Sequence, residues 1–341
     1  MTQSLKALLL AGAALILAQA AQAADKVSIA VVNASSDAAL FIADAKGYYK
    51  AEGIEAEFVS FDTGAKMVAP LGAGQLDIGG GAASAGLYNA VDRGIKIKIV
   101  ADKAHNVKGA GFQAFMVRKD LIESGKVKSF ADLKGMKVAI TGAGGSDASV
   151  LNEAMKNGGL TYNDVEKVYL GFPQHAVAFQ NGAIAASIST EPTVSKIVEM
   201  GVAVRYKGND EFYPNAQTAT ILMSGDFAEK RPEVAKRFMK AYLRAVREFN
   251  ASIVKGRIAG PGADEMVKIL AKYSVIKDEP TLRSMIVHGT DPDGKLNIDS
   301  LKKDLAFFKE QGDVTGKVTV DQVVDESFIQ AAVKELGPAK R

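Results

Sequence analysis

The sequence predicts an α/β protein of two lobes, each with a parallel-rich sheet and helices on both faces. Three observations carry that reading. Short, apolar, β-branched runs alternate with stretches of helical periodicity through the first third of the chain. The alternation starts afresh in the middle. After the last apolar run, Ala219 to Met223, the pattern is helical to the end.

Val27 to Val32 reads as a strand, and Ala38 to Ala51 as a helix with Leu40, Phe41, Ala45 and Tyr48 at helical spacing, stopped by Gly53. Glu55 to Phe61 alternates as a strand. Ala65 to Ala73 is a short helix closed by Gly74. Leu76 to Ile78 is a brief strand running into Gly79-Gly80-Gly81. Ser84 to Arg93 is a helix and Ile95 to Val100 a strand. The second unit opens with the strand Phe112 to Val117. It continues through Val138 to Thr141 (strand), Ser146 to Asn157 (helix), Val165 to Leu170 (strand) and Gln174 to Asn181 (helix). Ala183 to Ser189 (strand), Pro192 to Met200 (helix) and Val202 to Tyr206 (strand) complete it. In the helical return, Val234, Phe238, Ala241, Ala245, Phe249 and Ile253 form one apolar stripe, with Pro232 near the first turn. The basic stripe Lys236, Arg237, Lys240, Arg244 and Arg247 reads as a solvated face. The expected lobes are 24–117 with 224–341, and 118–223. Strands near Phe112–Arg118 and Thr218–Ser224 would carry the chain across and back. Ligands of such sheets bind beyond the carboxyl ends of the strands.

The first 23 residues read as a secretory signal. Lys6 supplies the positive start, Ala7 to Ala18 an apolar core, and Ala21-Gln22-Ala23 a small-residue cleavage site. The apolar run is short of the ~20 residues a bilayer span needs. A product starting at Ala24 is expected to be soluble in the periplasm and monomeric. The chain has no cysteine, which excludes a lipoprotein anchor, disulfides, thiolate catalysis and Cys-ligated zinc. The charge of +3 gives no electrostatic case for nucleic acid.

Catalytic and cofactor motifs fail one by one. The loop Thr141 to Val150, TGAGGSDASV, has glycines at 142 and 144 but Asp147 where a dinucleotide fingerprint needs its third glycine. Gly79 and Gly81 are followed by Ser84 in the same role. No Walker loop, esterase elbow or H-E-x-x-H occurs, and His105, His175 and His288 are isolated. Asp291 to Asp299, DPDGKLNID, reads as a Pro-Asp-Gly turn and not a calcium loop. No cofactor, no metal and no catalytic residues are expected.

Longer blocks of the sequence resemble a known family. They are AKGYYKAEGIEAEFV (Ala45 to Val59), LGAGQLDIGGGAASAGLYNAVDRGIKIKIVA (Leu71 to Ala101) and FADLKGMKVAI (Phe130 to Ile140). In this order they resemble the solute-binding proteins of the nitrate/sulfonate/taurine group, which serve ATP-binding-cassette importers. The resemblance implies a type II periplasmic binding fold, hinge closure on a small-molecule ligand and an inner-membrane permease as partner. It also implies a binder and not an enzyme. A related branch makes the thiamine pyrimidine at a cysteine-rich iron site, which this chain lacks. Pyrimidine-precursor binding or synthesis, and a sensor feeding a membrane kinase, are the alternatives.

The candidate ligand contacts lie at strand ends. Ser35, Ser36 and Asp37 follow the first strand. Gly80, Gly81 and Ser84 follow the third, where glycine permits close backbone approach. Gly144, Gly145 and Ser146 would offer N–H and hydroxyl groups at a helix start. His175, Thr190 and Glu191 complete the set, with His105 after the fourth strand. Each also has a plain reading as a helix cap or surface group. The resemblance implies an anion such as a sulfonate or carboxylate, held at helix N-termini; Asp37, Asp147 and Glu191 among these loops, with no arginine, leave a zwitterion or a heterocycle open as well.

Overall fold

The computed structural model describes residues 23–340; the expected leader, but for Ala23, lies outside them. Two five-stranded sheets organise the chain. The first contains β1 (Asp25–Val31), β2 (Ile54–Ser60), β3 (Ile78–Gly81), β4 (Ile97–His105) and β10 (Gln217–Ser224), in the order β2-β1-β3-β10-β4. The second contains β5 (Gln113–Arg118), β6 (Lys137–Ile140), β7 (Glu166–Tyr169), β8 (Ala186–Thr190) and β9 (Ala203–Gly208), in the order β7-β6-β8-β5-β9. β1, β2 and β3 pair in parallel, as do β6, β7 and β8. The antiparallel member is β10 in one sheet and β5 in the other.

That antiparallel strand is the one the chain forms immediately after leaving the other sheet. β4 ends the first pass through the first sheet, and β5 then joins the second. β9 ends the pass through the second, and β10 returns to the first. The crossings are thus the segments 106–112 and 209–216. They are tied to each other: Asn106 N–H donates to Ala216 O at 3.0 Å, Asn215 N–H to Asn106 O at 2.7 Å, and Gly109 N–H to Asp210 Oδ2 at 2.8 Å.

Helices cover both sheets. α1 (Ala38–Ala45), α2 (Ala85–Asp92), α3 (Ser146–Asn157), α4 (Phe172–Gln180) and α5 (Thr193–Glu199) follow strands. α6 (Pro232–Ala251), α7 (Ala263–Tyr273), α8 (Ile298–Glu310) and α9 (Ser327–Leu336) make the return. The apolar stripe of α6 is buried at Val234, Phe238, Ala241, Ala245 and Phe249, but Ile253 lies beyond the helix end in a short strand. The basic stripe of α6 is not a free face. Arg237 pairs with Asp25, Lys240 with Glu52 and Glu335, and Arg247 with Asp293, while Arg244 lies over the Tyr48 ring. Charged heads at the rim of a buried helix find partners because their stems already lie along the protein.

Several expected elements shift their ends by a few residues, and two differ more. The helix from Ala38 breaks after Ala45, where Gly47 takes φ +68°. β4 runs on past Val100 through Ala101-Asp102-Lys103-Ala104-His105. Charged residues hide a buried strand in sequence. Here both are paired, which is what permits burial.

Candidate functional site

The carboxyl ends of both sheets meet at a cavity of about 80 Å³, several times the space one water needs. On the first side, Asp37 shapes the turn after β1: its Oδ2 accepts from Val32 N–H and Ala34 N–H, both at 3.1 Å. Its Oδ1 lies 2.7 Å from Nζ of Lys103. Lys103 is buried, and it also donates to Ser36 Oγ at 3.0 Å and Gly80 O at 3.2 Å. Glycine at 80 is required by this approach, because a Cβ there would stand 2.8 Å from Lys103 Cε. Ser84 lines the cavity and caps α2, its Oγ accepting from Leu87 N–H at 3.3 Å.

The second side is the loop between β6 and α3. Thr141 N–H donates to Asp147 Oδ2, so the loop folds around its own carboxylate. Burial pushes the Asp147 carboxyl above the usual range, against the bonds it accepts from Thr141. Gly144 takes φ +64°, which favours glycine, whereas Gly145 at φ −85° is an ordinary helix N-cap. Gln113, Phe172 and Thr190 extend this wall, and Thr190 Oγ1 is buried without a partner among the described residues.

Beside the cavity, three hydrogen bonds span the two sides. Ala85 N–H donates to Gly144 O at 2.8 Å, Ser146 Oγ to Thr218 O at 3.0 Å, and Ser35 N–H to Glu191 O at 3.0 Å. The arrangement is therefore closed over the cavity.

Of the expected contacts, Ser36, Gly80, Gly81, Ser84, Gly145, Ser146 and Thr190 line the cavity. Five stand off the lining. Asp37 sits behind Lys103. Gly144 lends its carbonyl to the inter-sheet bridge. Ser35 faces a separate small apolar pocket. Glu191 is buried, with Oε2 accepting from Ser195 N–H at 2.9 Å, and borders a groove containing Arg205. His175 is fully buried. Its Nε2–H donates to Leu170 O at 3.1 Å, and Nδ1 accepts from Ser189 Oγ at 2.9 Å. Burial pushes its pKa down to about 4, so it is a neutral packing residue set edge-on to Phe172. His105 also lies elsewhere, its Nδ1 2.7 Å from Asp102 Oδ2. Burial lowers its pKa, but the Asp102 carboxylate outweighs that and leaves it raised.

Sequence reasoning missed Lys103, Phe112, Gln113, Phe172 and Thr218. One signal was present for Lys103: it follows the apolar triplet Ile99-Val100-Ala101 and sits beside Asp102 and Ala104, so a single opposite-charge pair framed by apolar residues could continue the strand. Among the described residues no cluster of three or more His, Cys, Asp or Glu has the geometry to hold a metal, and no helix is long and apolar enough to cross a membrane.

Comparison with known proteins agrees with this architecture. The taurine-binding periplasmic protein of Escherichia coli (strain K12) is 26% identical over 300 residues, covering 83% of this chain and 86% of that one. The nitrate-binding protein NrtA from Synechocystis PCC 6803 superposes with a TM-score of 0.76 at 16% identity, over 92% of this chain and 89% of that one. The alkanesulfonate-binding protein SsuA from Xanthomonas axonopodis pv. citri, solved with MOPS, gives 0.69 at 17% identity, over 89% and 98%. At these identities the structural likeness is one of fold, the two-lobed periplasmic binding fold. A family profile described as NMT1/THI5 like matches residues 35–251, and the chain belongs to that family.

Proposed function

We propose that this protein is the extracytoplasmic substrate-binding component of an ATP-binding-cassette importer. It captures a small organic solute between its lobes in the periplasm and delivers it, unchanged and as a monomer, to a permease. One observation carries the reading: a small cavity at the carboxyl ends of two sheets, walled from both and closed by three inter-sheet hydrogen bonds. The named similar proteins bind taurine, nitrate and an alkanesulfonate, the first two in the periplasm, which supports a solute of that size. We take the paired crossings, 106–112 and 209–216, as the hinge. That choice places Gln113–Val117 in the second lobe and Gln217–Met223 in the first, following their strand pairing.

The nearest approach to a catalytic pair on the cavity is Ser36 with Lys103. Lys103 Nζ faces three acceptors, Asp37, Ser36 and Gly80, so it offers no free lone pair to take a serine proton. The test is titration calorimetry of purified protein against sulfonates, carboxylates, nitrate and pyrimidines, with mass spectrometry of the ligand afterwards. One-to-one binding of an unchanged solute is expected. Catalytic conversion, or no binding across the panel, contradicts the reading.

A further inference from the structure

Only two charged side chains line the cavity among the described residues, Lys103 of the first sheet and Asp147 in the first turn of α3 on the second side. They are not equivalent. Lys103 is neutralised from behind by Asp37, 2.7 Å away, and its remaining hydrogens go to Ser36 and Gly80. Asp147 has no cationic partner within ion-pair distance among the described residues. It is 2% exposed, and its carboxyl is held by Thr141 N–H and by the first turn of its own helix. The positive end of α3, which would ordinarily hold an anion from solution, is therefore already occupied by a carboxylate of the protein. The wall and its immediate partners contain one lysine against two carboxylates. A bare anion placed there would add a third negative charge where water is scarce, and buried charges are tolerated only when paired.

Resting on the binding function proposed above, we infer that the ligand is a zwitterion, with its ammonium directed at Asp147 on one lobe and its acid group at the Ser36 and Ser84 hydroxyls, beside Lys103, on the other. Each end engages a different lobe. Such a ligand has its differential affinity in the closed state, where both contacts exist together. An anion without the amine meets the first lobe alone and leaves Asp147 unpaired.

The test uses isosteric pairs that differ only in the amine: taurine with ethanesulfonate, β-alanine with propionate, and 3-aminopropanesulfonate with 1-propanesulfonate. Each is titrated calorimetrically into wild-type protein and into Asp147→Asn. In at least one pair the amine-bearing member is expected to bind ten-fold or more tightly than its partner. Asp147→Asn is expected to bring that ratio close to one. The wild-type ratios stand without the variant should it fold poorly. Equal or tighter binding of the amine-free members overturns the inference. So does an Asp147→Asn variant that weakens both members of a pair equally, which is the mark of a purely structural carboxylate. Binding of nitrate or a pyrimidine with none of the six compounds overturns the zwitterion while leaving solute binding intact; no binding of any probe overturns both.

Discussion

Two neighbouring glycines in the loop after β6 have different duties. Gly144 is in the left-handed region, and a Cβ there would stand 2.3 Å from Ala85 Cβ on the opposite lobe. Gly144→Ala should cost about 1–2 kcal/mol of stability through its conformation. It should weaken ligand binding by more than ten-fold as well, because the clash with Ala85 arises only on closure. Calorimetry alongside thermal melts separates the two effects, and unchanged affinity would show that the Ala85–Gly144 contact does not accompany binding. Lys103 makes the second prediction at this scale. Lys103→Met leaves Asp37 buried without its cation, a loss of roughly 3–5 kcal/mol. Adding Asp37→Asn should recover part of that in urea unfolding, and strictly additive losses would deny the coupling. The contrast between these residues shows what sequence can reveal of a site. Gly80, Ser84, Gly145 and Ser146 were readable because they mark the junction of an apolar run with a helix start. Lys103, Gln113 and Thr218 lie inside strands and reach the cavity only through pairing across the sheets, which no local pattern records.

Among the elements, α8 was the least readable. Its amphipathic face is plain, but nothing in it names the partner. The C-terminal helices were expected to return to the first lobe. α6 packs on α1 and α9 there, yet α8 also reaches α3 of the second lobe. Asp304 of α8 is buried and accepts from Ser149 Oγ on α3 and from Tyr213 OH in the second crossing, the latter at 2.8 Å. Burial pushes its carboxyl up to about 7, against the opposing influence of Ser149, Tyr213 and Lys303, with Glu153 adding to the rise. The folded chain thus holds a proton that the unfolded chain releases near the ordinary 3.8. Stability from this group is complete below about pH 4 and is lost as pH rises through about 7, by up to about 1.4 kcal/mol per pH unit. Asp304→Asn keeps an acceptor for both hydroxyls and removes the ionisation. Its unfolding free energy relative to wild type should therefore rise between pH 4 and pH 8. His175, pushed down to about 4, has the opposite slope below its ordinary value of 6.5, but it is common to both proteins and cancels in the difference. A difference independent of pH would contradict the assignment.

For the whole molecule, the alternation of strands and helices was enough to show two α/β units, and their parallel cores follow from it. That β5 and β10 are full members of the sheets they enter, and not the crossings themselves, was not visible. Both are apolar runs of ordinary length, and only their pairing tells which sheet they join. The crossings that precede them, which we take as the hinge, are hydrogen-bonded to each other, and the cavity lies where the two sheets' strand ends converge. Capture by closure changes the overall size of the molecule, and small-angle scattering reads that size in solution. Protein without ligand should show a larger radius of gyration than the closed structure described here. Saturation with a solute found by calorimetry should bring it down to the closed value, and Gly144→Ala should compact less at the same ligand concentration. A protein that binds its solute with no change in radius, already at the closed value beforehand, would contradict closure as the means of capture.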